Sequence, residues 1–220
     1  DDFIFINDFQ LQEVLVSVLG DINGYTCEGI ASLKSLDIAK KDVKNIEGLE
    51  YASSLISLNL AGNQIIDFSP LHGLESLKNL TITDNQLTTF PDLSSIPSLI
   101  NLNLSSNEIE VLPDNFNYES LQTLNISKNQ LKSITSIIGA TNLKTLDISE
   151  NPITHEALLP IVNLPNLTSL SLNSLNLLSL SQVFSLIYDY ESLEILNVNN
   201  NAIVDWTLVP NFTSLKFLQA

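Results

Sequence analysis

One apolar pattern, LxxLxLxxN followed by a further apolar residue, recurs about every 22 residues along most of this chain. The alternation of Leu58, Asn59 and Leu60 predicts a short strand whose apolar side chains face one side. A repeat this short can bury its apolar residues only against its neighbours, so the chain must stack as a repeat array. Nine blocks begin, the last truncated, at Leu33, Leu55, Leu77, Leu99, Leu121, Leu143, Leu167, Leu193 and Leu215.

An asparagine stands at the ninth position of most repeats. Its amide carries one acceptor and two donors, so we predict that it satisfies backbone groups where the chain leaves each strand. These asparagines, called the ladder here, are Asn63, Asn85, Asn107, Asn129, Asn151 and Asn201. Lys41 replaces the ladder residue in the first repeat and Leu175 in the seventh. A leucine cannot bond to the backbone, so water or Asn176 would have to serve the groups beside Leu175.

A repeat of this length and pattern is typical of the leucine-rich repeat. We predict an α/β repeat solenoid, a right-handed curved array with a parallel β-sheet on its concave face and a helical cap at its amino end. Repeats six and seven are longer than the rest, and Leu180, Val183, Phe184 and Ile187 at helical spacing favour true helices in both. The fourteenth position should return to the core at Ile46, Phe68, Phe90, Leu112, Ile134 and Trp206.

The amino-terminal segment precedes the repeats and has a different pattern. Residues 8–19 carry an apolar stripe at helical spacing, Leu11, Val14, Leu15, Val18 and Leu19, with Asp8 or Asn7 as N-cap and Gly20 at the carboxyl end. We predict a helical cap over residues 1–32 and one leucine-rich repeat domain over residues 33–220. Cys27, the single cysteine, cannot form an internal disulfide, and we expect a buried, inert thiol in a second short helix.

The repeats resemble the short bacterial and SDS22-like class of leucine-rich repeat, and more closely the internalin-type proteins of Gram-positive cell surfaces. The segment LISLNLAGNQIIDFSPLHGLESL, residues 55–77, follows that family's repeat nearly position for position, and residues 3–54 resemble its amino-terminal cap. The resemblance implies a secreted or surface-displayed bacterial protein that acts in adhesion, virulence or contact with host factors. Because the chain contains no Met, we expect it to be part of a longer protein.

The charge balance excludes several classes of partner. The chain has 25 acidic residues against nine Lys and no Arg, a net charge of −16, which disfavours nucleic acid and anionic membrane surfaces. No apolar run is long enough to span a membrane. The acidity suits either solubility of a long exposed surface or attraction of a cationic partner or Ca²⁺. We expect no cofactor, no specific metal site and a monomer.

An enzyme would show polar groups that stand out from the repeat, and we find none. The segment HEALL at His155 lacks the second histidine of the HExxH zinc pattern, because Leu159 stands in its place. His72, the other histidine, lies in a different repeat, and the chain has no nucleophile elbow or phosphate-binding loop. We therefore predict a protein without enzymatic activity.

The outward strand positions form the first candidate binding surface. They are small, polar and nearly uncharged, and they lack the Trp, Tyr and Arg anchors of tight protein interfaces before Phe217. Receptor-binding internalins are known for aromatic and charged residues there, so the polar face suits glycans, weak avid contacts or an unspecialised spacer. The candidate residues are Asp37, Asn59, Thr81, Asn103, Asn125, Asp147, Asn197 and Phe217.

The irregular seventh repeat supplies a second candidate surface, a lateral patch of Leu178, Tyr188 and Tyr190. The alternative for this repeat is a tolerated irregularity that changes the local curvature. For the whole chain three functions stay open. They are a surface adhesion module with a protein or glycan partner, a cytoplasmic SDS22-like regulatory subunit that binds a phosphatase, and a spacer that displays other domains.

Overall fold

Each repeat forms one short strand in the computed structural model, which describes residues 3–20, 26–114, 116–184, 191–206 and 212–220. The strands begin two residues after the leucine that opens each block, as the alternation predicts. They are β1 (Ser35–Asp37), β2 (Ser57–Asn59), β3 (Asn79–Thr81), β4 (Asn101–Asn103), β5 (Thr123–Asn125), β6 (Thr145–Asp147), β7 (Ser169–Ser171), β8 (Ile195–Asn197) and β9 (Phe217–Gln219).

Internal contacts divide the chain into two compact units. The first unit comprises residues 1–87 and 91–104, and within it β1 to β4 pair in parallel in chain order. The second comprises residues 88–90 and 105–220, and within it β5 to β9 do the same. The parallel-strand repeat fold predicted from the period is therefore confirmed, while the boundary between cap and repeats at residue 33 stays a prediction.

The core of each unit consists of the inward leucines and isoleucines of successive repeats. Leu58, the central residue of β2, is 1% exposed and pairs in register with Leu36 and Leu80. The eleventh position returns inward as well, for example at fully buried Ile65 and Leu131. These side chains bury apolar surface only against the repeats on either side, so neighbouring repeats stabilise one another.

The residue before each ladder position has a left-handed backbone. Glycine adopts this conformation freely, but most repeats place another residue there at a cost of about 1–2 kcal/mol. The turn must therefore be imposed by the strand before it and the ladder bonds after it. The residues are Lys40, Gly62, Asp84, Ser106, Lys128, Glu150, Ser174 and Asn200, with φ between 54° and 66°.

The amino-terminal helix α1 (Phe9–Leu19) is capped by Asp8 and ends at Gly20, whose φ is 81°. Asp8 Oδ1 accepts the Leu11 N–H at 3.1 Å, and its Oδ2 accepts the backbone amides of Lys44 at 2.8 Å and Asn45 at 3.1 Å. One carboxylate thus caps the helix and ties it to the first repeat. Val18 of the predicted stripe is 51% exposed, so the buried face is narrower than predicted.

The second cap helix, α2 (Cys27–Ala31), begins at Thr26, whose hydroxyl accepts the Gly29 N–H at 3.0 Å. The prediction of a buried Cys27 thiol is wrong, because this residue is half-buried and Ile30 takes the inward position of the helix. A five-residue helix makes little more than one turn, so few of its residues can face the core. Cys27 is the first residue of the helix and is not one of them.

The segments that return from one strand to the next are short 3₁₀ helices in most repeats. They are Leu49–Tyr51, Ser69–Leu71, Tyr118–Ser120, Thr135–Gly139 and His155–Asn163. The prediction of a true helix in repeat six is wrong, because its nine-residue segment His155–Asn163 is 3₁₀ and contains Pro160. Repeat seven does form an α-helix, α3 (Ser181–Phe184).

The fourteenth position is buried in most repeats but not at the carboxyl-terminal end. Ile46 and Ile134 are fully buried, whereas Phe90 is half-buried and Trp206 is 38% exposed. The predicted inward position of Trp206 is therefore wrong. In β9 the outward residue Phe217 is 62% exposed and the inward residue Leu218 is 47% exposed.

Candidate interaction surfaces

The ladder asparagines connect the turns of neighbouring repeats. Asn151, which is 5% exposed, accepts the Leu131 N–H with Oδ1 at 3.0 Å. Its Nδ2 donates to the carbonyls of Ile126 and Ile148, both at 3.0 Å. One carboxamide therefore bonds to its own repeat and to the one before it, which satisfies buried groups that water cannot reach.

The same geometry recurs along both units. Asn63 accepts the Val43 N–H at 3.0 Å, and Asn201 accepts the Leu177 N–H at 3.0 Å. Asn85 and Asn129 accept the corresponding amides of Ile65 and Ile109. Asn107 is 7% exposed and its Nδ2 donates to the Ser105 carbonyl at 3.4 Å. The ladder residues are thus structural, and all of them are buried except Asn201, which is half-buried.

The ladder is interrupted at Leu175, which is buried and 5% exposed. The regular partner of this position would be the backbone amide of Ile153, the eleventh residue of the preceding repeat. Among the described residues that amide has no hydrogen-bond partner, and Asn176 does not reach it. The irregular repeat therefore leaves this amide without an acceptor among the described protein groups, and Asn176 does not replace the missing asparagine.

The outward residues of the strands form rows across the sheet of each unit, half-buried in every strand from β2 to β8. In the first unit Asp37, Asn59, Thr81 and Asn103 are neighbours in register. In the second unit Asn125, Asp147, Ser171 and Asn197 are neighbours in register. Seven of the eight predicted face residues thus lie in these two rows, four in the first unit and three in the second. Phe217 lies in the adjacent row, opposite Ile195.

Four of these face residues are engaged with the backbone of their own repeat. The side-chain oxygens of Asp37, Asn59, Asn125 and Asp147 each accept the N–H two residues later, at 2.9–3.1 Å. Such a bond stabilises the turn that ends each strand. This role was not predicted from the sequence, although the recurring Asn or Asp two positions before a small residue indicates it.

The remaining face chemistry is polar and weakly charged. Asn101 Nδ2 donates to Asn79 Oδ1 at 2.6 Å, and Asn197 Nδ2 donates to Ser171 Oγ at 3.0 Å. The outward strand positions include carboxylates only at Asp37 and Asp147. Such a surface forms many weak hydrogen bonds but offers few of the anchors that dominate tight protein interfaces.

The predicted lateral patch is described only in part, because Tyr188 and Tyr190 lie outside the described residues. Leu178 is 56% exposed, and its backbone amide donates to Gln182 Oε1 at 2.8 Å. Val204 of the next repeat is 86% exposed and its amide donates to the Leu178 carbonyl at 3.1 Å. Leu178 and Val204 are therefore two exposed aliphatic residues whose backbones are hydrogen-bonded, and only Leu178 was predicted.

The two histidines each lie beside a carboxylate. His72 Nε2 is 3.8 Å from Asp92 Oδ2, and His155 Nε2 is 2.9 Å from Glu156 Oε1. Hydrogen bonds from Ser94 and, more weakly, the charge of His72 lower the pKa of Asp92. The described residues contain no group of three or more metal-ligating side chains. Each histidine is exposed and lies next to a single carboxylate.

Among the described residues, no helix has the length and hydropathy needed to cross a bilayer.

Family models recognise the repeats directly. A model described as leucine-rich repeats in two copies matches residues 53–95, and a second leucine-rich repeat model matches residues 97–153. No curated protein sequence matches the chain significantly.

Solved structures of internalins share the fold. Internalin C2 from Listeria monocytogenes is 27% identical to the chain, with a TM-score of 0.83 over 96% of this chain and 92% of its own. The internalin InlF from the same organism is 24% identical, with a TM-score of 0.67 over 97% of this chain and 75% of its own. The likeness to InlF concerns the fold alone. Together with the family models, these structures confirm the leucine-rich repeats and their internalin-like character.

Proposed function

We propose that this internalin-like leucine-rich repeat protein is a non-enzymatic interaction module, secreted or displayed on a bacterial cell surface, that contacts a host protein. The likeness to internalin C2 over 96% of the chain supports the assignment. The observation that carries the proposal is the half-buried row of polar side chains repeated on successive strands in each unit. Such a row matches an extended partner through many weak contacts.

The sheet face is the proposed contact surface. Asp37, Asn59, Asn125 and Asp147 keep their backbone bonds when a partner binds, so each asparagine among them offers mainly its Nδ2 donors. Thr81 and Thr145 are half-buried and carry hydroxyl groups that both donate and accept. Phe217, opposite Ile195, supplies the aromatic contact that the rest of the face lacks.

Two other functions compete with this proposal. A cytoplasmic regulatory subunit that binds a phosphatase would use the same face, and a spacer would use none. The scarcity of aromatic and charged face residues counts against the regulatory subunit. The spacer is favoured by the same scarcity, so only a binding experiment separates it from an adhesion module.

Crosslinking capture from intact host-cell surfaces and from cytosolic lysate distinguishes the three functions. The test variants are Thr81→Arg and Thr145→Arg, which crowd the face of each unit without removing a backbone bond. Ser53→Arg and Thr141→Arg add the same charge at exposed positions outside the strands and serve as matched controls. Asn103→Arg and Asn125→Arg are less suitable, because Asn125 also holds the turn after β5.

A surface protein captured by wild type and by the controls, but not by the two face variants, supports the proposal. A cytosolic partner with the same sensitivity would replace it with the regulatory subunit. Capture of nothing from either source would leave the spacer, and capture unaffected by the face variants would move the contact off the sheet.

A further inference from the structure

A cavity of about 370 Å³ lies in the second unit beside the interrupted ladder. It lies between the return segments of repeats six and seven, and its size is within the range of small-ligand pockets. The lining residues that carry the argument are Pro152, Ile153, Thr154, His155, Leu175 and Gln182. The cavity, which is open to solvent on one side, is therefore lined by residues of the two repeats that depart from the regular length.

One backbone amide in the wall of the cavity has no hydrogen-bond acceptor among the described protein groups. In regular repeats the amide of the eleventh residue donates to a ladder asparagine, as Leu131 does to Asn151 at 3.0 Å and Leu177 does to Asn201 at 3.0 Å. Ile153, the equivalent residue here, is 4% exposed, and its amide has no partner among the described residues. A buried amide of this kind favours any ligand that brings a carbonyl oxygen.

The lining combines apolar and neutral polar groups. Pro152, Ile153 and Leu175 supply apolar surface, and Thr154 supplies a hydroxyl group. Gln182 uses Oε1 to accept the amides of Leu178 and Ser179, which leaves its Nε2 to donate to a ligand.

None of the described residues that line the cavity is a carboxylate, although the chain as a whole carries a net charge of −16. Glu156, which adjoins the lining residue His155, is exposed and already paired with it. The cavity therefore does not offer an unpaired charge to a ligand, and a neutral ligand suits it better than a charged one.

We propose that this cavity binds the acetamido group of a neutral N-acetylated amino sugar. The acetamido carbonyl is the acceptor that the missing ladder asparagine would have provided to Ile153, and the acetamido methyl suits the surface of Pro152 and Leu175. The ring hydroxyls meet Thr154, His155 and Gln182 at the polar side. A peptide amide would supply the carbonyl but not the several ring hydroxyl groups, which can both donate to and accept from Thr154, His155 and Gln182, so the sugar is favoured.

This site goes beyond the proposed contact of the sheet face with a protein and does not depend on it. The test is a titration of the ¹⁵N-labelled protein with N-acetylglucosamine, followed by NMR at the Ile153 amide. Glucose, which lacks the acetamido group, is the matched sugar, and N-acetylalaninamide is the peptide-amide probe. We expect a saturable shift of the Ile153 amide with N-acetylglucosamine and none with glucose.

Leu175→Asn is the decisive variant, because it supplies an internal carboxamide that competes with the ligand. We expect N-acetylglucosamine affinity to fall at least about tenfold, roughly the loss of one hydrogen bond, and Ile153 amide exchange to slow toward that of Leu131. Asn176→Gly removes a further lining side chain and keeps the left-handed backbone at φ 57°, so it tests the polar side if Leu175→Asn fails to fold. We expect weaker binding in that variant also.

Each alternative outcome overturns the proposal. The proposal is wrong if N-acetylglucosamine causes no shift or if glucose causes an equal one. It is also wrong if Leu175→Asn and Asn176→Gly both bind N-acetylglucosamine as tightly as wild type does. A shift with N-acetylalaninamide alone would replace the sugar with a peptide. Capture of a protein by the sheet face is measured in a separate experiment with Thr145→Arg. Failure of the sugar site and failure of the sheet-face contact can therefore be distinguished.

Discussion

Replacing one ladder asparagine by leucine tests whether these amides hold the repeats together. Asn151→Leu is the best position, because all four bonds of its carboxamide lie within the second unit. Oδ1 accepts the Leu131 N–H, and Nδ2 donates to the carbonyls of Ile126, Ile148 and Ser149 at 3.0–3.2 Å. Leucine is similar in size, so the substitution removes polar bonds while it keeps the site filled.

The magnitude follows from which groups lose a partner. Ile126 keeps a bond from Asn129 Nδ2 at 3.1 Å, so its carbonyl stays satisfied. The buried Leu131 N–H loses its acceptor, and the Ile148 carbonyl loses a side-chain donor. Each loss costs about 1–3 kcal/mol. Burial of the leucine side chain returns about 1.5–3 kcal/mol. At the middle of these ranges the two losses, about 4 kcal/mol together, exceed the gain, so we expect the free energy of unfolding to fall by about 2 kcal/mol.

Urea unfolding of wild type and variant, followed by far-ultraviolet circular dichroism, measures this change. Where both proteins have the same dependence of the unfolding free energy on urea concentration, the shift of the midpoint gives the difference in stability. Asn142→Leu is the matched control, because Asn142 makes one exposed bond from Nδ2 to the Glu119 carbonyl at 3.0 Å. We expect that control to change stability by less than about 0.5 kcal/mol. Equal midpoints for Asn151→Leu and wild type would refute the role assigned to the ladder.

Three further predictions concern single positions of the second unit. Lys128 has φ 55°, so Lys128→Gly should be more stable in urea than Lys128→Val by about 1–2 kcal/mol. Asn125→Ala should destabilise by about 1 kcal/mol, and Asn125→Asp by less, because aspartate retains the acceptor for Ser127. Burial raises the pKa of Tyr118, which favours the neutral phenol in the folded state, so stability should fall above about pH 10 and fall less steeply in Tyr118→Phe, as measured by thermal unfolding.

The sequence predicted the fold because the period leaves little freedom. A strand of three residues with one inward leucine can bury that leucine only beside the same leucine of the next repeat, and Leu124 does lie opposite Leu146. The cap was predictable for a similar reason, since Asp8, the apolar stripe and Gly20 give both ends of one helix.

The left-handed residue before the ladder was not predictable from residue types. Gly62 and Asn200 favour that backbone, but Lys128 and Glu150 adopt it at the same place. Their conformation is imposed by bonds that only the assembled repeats supply, such as the Lys128 N–H to the Ser149 carbonyl at 2.9 Å. Tertiary contacts overrode local preference at these positions, and the sequence of one repeat contains no sign of it.

The candidate face residues were correctly grouped by spacing, but their chemistry was not evident. An outward Asn125 in a strand has the same sequence pattern whether its amide faces a ligand or its own backbone. The structure shows that Oδ1 accepts the Ser127 N–H at 3.0 Å and also the Ser127 hydroxyl at 2.8 Å. Sequence alone therefore overstates the hydrogen-bonding capacity that the face offers to a partner.

The position of the irregular segments has a physical reason. Asp147 pairs with Ser171 and Ser171 with Asn197, so the strand register is unbroken through the longer repeats six and seven. The additional residues must then lie outside the strands, in return segments such as His155–Asn163. An array that keeps its register can gain new chemistry only by substitution on the sheet face or by extension beyond the ladder. Because much of this face bonds to its own backbone, extension beside Leu175 is where a selective site has room to form.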